Sequence, residues 1–195
     1  IPDSNARKLE EAGAYISRQL NSGKEARISF VCEHNSRKSH LGQVWTQMAT
    51  HFYQIGHVRT YSGGTHPTYV NQRIVRSLQN AGFLITENGR AGNGPIYHLD
   101  PGKASAGFEI FSKRYDHSMN PDTNYIAISL CYDPEECCPI SYGANLQLAI
   151  PYEDLQPFDN TGLEADMYDE QCRIVARDMF YMMDLVRKDT VPQVR

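Results

Sequence analysis

The stretch from Ile28 to Phe52, ISFVCEHNSRKSHLGQVWTQMATHF, constrains the fold of this chain more than any other. It opens on a short apolar run, Ile28-Ser29-Phe30-Val31, that reads as a buried strand. It closes on Leu41, Val44, Trp45, Met48, Ala49 and Phe52, spaced as one face of a helix. Between the two lies Cys32-Glu33-His34-Asn35-Ser36-Arg37-Lys38-Ser39. A strand that turns through a tight loop into a helix N-terminus leaves unpaired backbone N–H groups pointing into the loop, and these cradle an anion. The same N–H groups and the helix dipole are expected to lower the pKa of Cys32 from the usual value of about 8.5 and so favour its thiolate. A thiolate beside an anion cradle is a nucleophile facing its substrate.

The rest of the chain alternates in the same way. Asn5 to Leu20 reads as a helix with Leu9, Ala12, Tyr15, Ile16 and Leu20 on one face, ended by Asn21-Ser22-Gly23. Val58 to Ser62 is a strand candidate closed by Gly63-Gly64. Val70 to Ala81 places Val70, Ile74, Val75, Leu78 and Ala81 on one helix face, with Gly82 where a C-terminal cap belongs. Asn124 to Leu130 reads as a strand buried on both faces, and Leu146 to Ile150 as a shorter one. Ala165 to Val186 reads as the final helix, with Tyr168, Cys172, Val175, Met179, Met182 and Val186 along its stripe. Cys172 on that stripe is structural. This order predicts a three-layer α/β sandwich around a central, mostly parallel sheet of about four strands. Ligands in such sheets bind at the carboxyl ends of the strands, where Cys32 falls. The glycine-rich stretch Glu87 to Gly107 shows little periodicity and reads as a hairpin or a mobile loop.

A chain of 195 residues is expected to form one domain with a sizeable core. A formal charge of −4 argues against a broad nucleic-acid surface. No stretch is long and apolar enough to cross a membrane. No signal-peptide pattern is present, and the start at Ile1 rather than Met leads us to expect a preceding segment. The five cysteines do not sit at disulfide-framework spacings, which fits a reducing, cytoplasmic setting. No cofactor is expected. Zinc is a weak alternative, because Cys137 and Cys138 are adjacent and no second Cys-x2-Cys exists.

The run Cys32 to Ser39 resembles the Cys-x5-Arg-Ser loop of the low-molecular-weight protein tyrosine phosphatase superfamily, which includes the thioredoxin-coupled arsenate reductases. Asn35 and Ser39 fall on that family's loop asparagine and thiolate-binding serine, and Lys38 stands where its arginine belongs. Arginine binds two oxygens of a tetrahedral anion with a planar fork, whereas lysine offers a point charge. The run from Tyr61-Ser62-Gly63-Gly64 through Val70-Asn71, Leu78, Gly82-Phe83 and Ile85 resembles the second βα unit of arsenate reductases. The resemblance implies a phosphotyrosine phosphatase I-like, flavodoxin-like fold over residues 1–195. Residues 1–24 are then an N-terminal helical extension, expected to pack on the sheet or at an interface, and about 87–110 an insertion. It also implies that Glu33, His34, Asn35, Ser36, Arg37, Lys38 and Ser39 bind the oxyanion.

Leu130-Cys131-Tyr132-Asp133-Pro134-Glu135-Glu136-Cys137-Cys138-Pro139-Ile140 resembles the redox segment of thioredoxin-coupled arsenate reductases, with two cysteines seven positions apart before Pro-Ile. The resemblance implies a relay in which Cys32 attacks arsenate, Cys131 displaces arsenite, and Cys138 takes over the disulfide for a thioredoxin-like reductant, so that Tyr132 to Cys138 must loosen. Cys137 is a decoy or a substitute for Cys138. Asp154, in Ile150-Pro151-Tyr152-Glu153-Asp154-Leu155, occupies the place of the family's general acid, with Leu155 instead of proline; Asp159 is a weaker rival. The expected substrate is thus arsenate. A phosphomonoester or phosphotyrosine, hydrolysed with Cys32 and Asp154 alone, is the alternative. A non-catalytic anion- or phosphoprotein-binding module is a third reading.

Overall fold

The computed structural model describes residues 1–92, 94–102, 107–131 and 143–190. Seven strands and four long helices follow one another along it. The order is α1 (Asp3–Asn21), β1 (Ala26–Cys32), α2 (Lys38–Phe52), β2 (Val58–Gly64), α3 (Gln72–Asn80), β3 (Leu84–Ala91), β4 (Gly94–Asp100), β5 (Phe108–Ile110), β6 (Tyr125–Ser129), β7 (Ala144–Ala149) and α4 (Glu164–Asp189).

Four strands form an all-parallel sheet in the order β2-β1-β6-β7, flanked by helices. β1 and β6 are the inner strands, and Ile28, Phe30, Ile126 and Ile128 are fully buried, as a sheet covered on both faces requires. The chain leaves β1 towards β2 on one side and returns with β6 on the other. Such a reversal opens a crevice at the carboxyl ends of the two strands. The sequence reading of an α/β sandwich with about four parallel strands therefore holds.

α4 is the central helix of the packing, in contact with α1, α2 and α3. Its stripe of Tyr168, Cys172, Val175, Met179, Met182 and Val186 is buried throughout. Trp45 Nε1 donates to Cys172 Sγ at 3.3 Å, and burial pushes the Cys172 thiol up to about 11, so this cysteine is structural. α1 packs on α4 through Leu9, Ala12 and Ile16 and is tied to β7 by Lys8 Nζ, which donates to Ala149 O at 2.5 Å, and by Tyr15 Oη, which donates to Asn145 Oδ1 at 3.2 Å. Phe52 departs from the expected buried face of α2. It is 66% exposed and stacks edge-on against Tyr53 and at a tilt against Phe180 at the helix's last turn.

The glycine-rich stretch is a hairpin rather than a mobile loop, apart from its residues that lie outside the described ones. β3 and β4 pair antiparallel with a bulge between Glu87 and Arg90, and β5 completes a three-stranded sheet. Tyr97, Leu99 and Ile110 turn inward to the core, while most of β3 faces solvent.

Candidate active site

Cys32 is the last residue of β1 and lies opposite Gly64, the last residue of β2. The 33–37 loop curls between β1 and α2, and its carbonyls are all turned to partners in the surrounding structure. Glu33 O accepts from His66 N at 2.8 Å, His34 O from Thr68 N at 3.1 Å, and Ser36 O from Asn71 N at 2.9 Å. Asn35 O is bonded by His40 Nε2 at 2.8 Å. In a trans peptide the C=O and the following N–H point in opposite directions. The N–H groups of His34, Asn35, Ser36 and Arg37 therefore point away from these four bonded carbonyls.

Beneath the loop runs a chain of buried polar groups. Lys113 N–H donates to Asn35 Oδ1 at 2.8 Å, which fixes the orientation of that amide. Asn35 Nδ2 then donates to Ser39 Oγ at 2.8 Å. Ser39 Oγ lies 3.0 Å from Cys32 Sγ, and when Cys32 is a thiolate the hydroxyl is the only possible donor of that bond. Cys32, Asn35 and Ser39 are all buried. Asn35 holds a φ of 41°, the left-handed region that asparagine tolerates better than most residues.

His40, in the first turn of α2, flanks the loop in sequence and could have been solvated. It is fully buried instead, on the face of α2 that looks at the loop and β2. Its Nε2 carries the proton, because Asn35 O can only accept, and its Nδ1 takes a hydrogen bond from Ser62 Oγ at 3.3 Å. Burial above all, then the charge of Lys113, pushes its pKa down to about 3. The unfolded chain takes up a proton near pH 6.5 that the folded chain refuses until about pH 3. This contribution to stability is therefore complete above the unfolded value and drains away as pH falls through that window, at up to about 1.4 kcal/mol per pH unit. Thermal melts between pH 6.5 and 3 are expected to show this slope, and His40→Asn should flatten it. An unchanged slope in the variant would show that the carboxylates alone set the acid limit.

The basic side chains of the loop are committed to neighbours. Lys38 Nζ donates to Tyr152 O at 2.8 Å, and Tyr152 Oη in turn donates to the buried Asp178 at 2.9 Å. Arg37 pairs with Asp159 at 2.9 Å. Asp159 is a hub, approached also by Arg73 at 3.4 Å and by Tyr168 Oη at 2.7 Å. Asp154 is exposed on the segment after β7, where its carboxylate accepts from Gln156 N–H at 3.2 Å. Glu33 and His34 stand on the rim with their side chains 3.7 Å apart, each half-exposed.

Cys131 follows β6 and is buried. Val31 pairs with Ser129, and Leu130 N–H donates to Val31 O at 2.9 Å, so the ladder between the strands runs up to Cys32. Cys131 is therefore one step beyond the position opposite Cys32. Neighbouring strands lie about 4.8 Å apart. A disulfide joins α-carbons roughly 4.4–6.8 Å apart. Cys137, Cys138 and the expected loosening of Tyr132 to Cys138 lie outside the described residues. Among the described residues, no group of three or more His, Cys, Asp or Glu side chains is placed to hold a metal ion, and no helix is long and apolar enough to cross a membrane.

No protein-family model matches the sequence, and no curated protein matches it. Solved structures do match the fold. A low-molecular-weight protein tyrosine phosphatase from Bacillus subtilis aligns with a TM-score of 0.53 at 12% identity, over 84% of this chain and 98% of its own. The arginine phosphatase YwlE with a phosphorylated active-site serine aligns at 0.52 and 9% identity, over 84% and 97%. An arsenate reductase in a phosphate-binding state aligns at 0.49 and 13% identity, over 85% and 99%. The fold is that of the low-molecular-weight protein tyrosine phosphatases, in agreement with the resemblance of the Cys32–Ser39 loop.

Proposed function

We propose that this protein is a thiolate enzyme acting on a tetrahedral oxyanion, and that arsenate reduction is its reaction. The observation that carries the reading is Cys131, buried one step beyond the position opposite Cys32 at the mouth of the crevice. A phosphatase has no use for a second thiol there. The loop supplies N–H groups for the oxyanion, and the Ser39 hydroxyl aimed at Sγ stabilises negative charge on Cys32.

The steps balance as follows. The Cys32 thiolate attacks arsenic and an arsenate oxygen leaves as water, its protons drawn from solvent or from a carboxylate of the segment after β7. The Cys131 thiolate attacks Cys32 Sγ, the S–As bond breaks, and its electron pair reduces arsenic from +5 to +3 as arsenite departs. The Cys138 thiolate attacks the Cys131 sulfur of the resulting disulfide and Cys32 leaves as thiolate. A thioredoxin-like dithiol reduces the Cys131–Cys138 disulfide. Asp154, the exposed carboxylate on the segment that Lys38 ties to the loop, is the candidate proton donor, with Asp159 behind it.

The test is single-turnover chemistry with arsenate and no external reductant. Wild-type protein is expected to release about one equivalent of arsenite and to hold a disulfide. Cys138→Ser with Cys137→Ser should stop at Cys32–Cys131, seen by peptide mass mapping, and Cys131→Ser should release none. Arsenite release that survives Cys131→Ser would defeat the relay. The second reading, hydrolysis of a phosphomonoester by Cys32 and Asp154, is favoured by the exposure of Asp154. It predicts aryl-phosphate turnover that Cys131→Ser leaves unchanged.

A further inference from the structure

Lys113 is a buried cation, only 8% exposed, and no carboxylate among the described residues pairs with it. Its segment wraps the outside of the Cys32–Ser39 loop. Ser112 Oγ donates to His34 O at 3.3 Å, Lys113 N–H donates to Asn35 Oδ1 at 2.8 Å, and Gly64 N–H donates to Lys113 O at 3.0 Å. The ammonium lies 4.5 Å from the centroid of the Phe111 ring, and its charge is felt at His40, the residue bonded to Asn35 O. Burying an ammonium without a carboxylate is costly, and such a group is kept where its charge is used. The loop's own cations are already engaged, Lys38 by Tyr152 O and Arg37 by Asp159.

We propose that Lys113 is the fixed counter-cation of the loop: its ammonium, held against the Phe111 ring on the segment whose backbone bonds Asn35, supplies the positive charge that a tetrahedral dianion in the loop completes. The inference rests on the oxyanion reading above. Lys113 is a positioning residue that acts through the field and through Asn35, without touching the substrate. Burial pushes its pKa down to about 8, so the charge is lost within an accessible range, and a bound anion favours keeping it. The groups facing it are His40 from α2, neutral in this range, and Phe111 from its own segment, with the ring of His117 5.8 Å beyond Phe111.

The test is sulfate binding in a Cys32→Ser background, from about pH 6.5 to about 9.5, so that neither the probe nor the thiol titrates. Lys113→Met is expected to bind sulfate on the order of tenfold more weakly at the lower pH, the effect of removing one charge from a protein interior near the loop. The parent should lose that advantage as pH rises through 8, while the variant stays level relative to it. The difference between the two profiles is what is read. Lys113→Gln serves as a second neutral variant if Lys113→Met does not fold. Equal affinity at low pH, or parallel profiles, would overturn the role of Lys113. No sulfate binding by the parent would instead overturn the cradle itself, and this inference with it.

Discussion

Replacing Cys32 with serine is expected to remove both arsenate turnover and aryl-phosphate hydrolysis, by at least about four decades, while leaving the fold and sulfate binding in place. Serine is nearly isosteric with cysteine, and its hydroxyl still meets Ser39 Oγ, now 3.0 Å from Sγ, so the polar chain through Asn35 survives. What is lost is the anionic sulfur. A hydroxyl ionises far less readily than a thiol, and among the described residues the buried His40 beneath the loop cannot act as its base, being turned to Asn35 O and Ser62. Turnover within tenfold of the parent would show that the reaction uses another nucleophile. A melt lowered by several degrees would show that Cys32 is a packing residue first.

Gly64→Ala is expected to disable the loop from the other side. A Cβ on Gly64 would lie 2.6 Å from Asn35 N and 2.7 Å from Glu33 O, both backbone atoms that cannot rotate away. Nor can the strand retreat, for Gly64 N–H donates to Lys113 O and Gly64 O accepts from Tyr115 N–H, each at 3.0 Å. The loop must therefore shift. Overpacking of this kind costs typically about 1–3 kcal/mol in stability. A displacement of about 1 Å in a positioning loop costs about two decades in rate. The paired measurement is a denaturation curve and a sulfate titration. Native affinity and native stability together would mean that the contact between Gly64 and the loop is not needed.

How far the sequence could be read differs from residue to residue, for physical reasons. α2 and α4 were legible because burial on one side leaves a period that hydrophobic residues must follow, and β1 because burial on both faces leaves a short continuous apolar run. β3 was not legible as a strand, since it is exposed at nearly every position and carries no alternation; its strandedness comes from pairing with β4. The nucleophile loop was legible because its residues are adjacent in the chain. Its supports were not. Lys113 comes from a segment some eighty residues on with no local pattern, and His40 looked like a polar residue at a helix start because its partners, Asn35 O and Ser62, are brought to it only by the fold. The pairing of Asp159 with Arg37 is likewise a contact across more than a hundred residues. The capture of Lys38 by Tyr152 O is another.

The placement of β1 between β2 and β6 has a consequence for folding order. Cys32 is edged on one side by residue 64 and on the other by residues 129–131, and its loop is backed by residue 113. No short fragment holds these pieces together. The strands that frame the nucleophile meet only when sequence separations of roughly thirty and a hundred residues are closed, the kind of topology that folds slowly because loop entropy is spent before the pairing rewards it. Oxyanion binding should therefore return during refolding as a late, all-or-none event, behind the helical signal of α1 and α4, and a nascent chain should gain its reactive thiol only after β6 has joined the sheet.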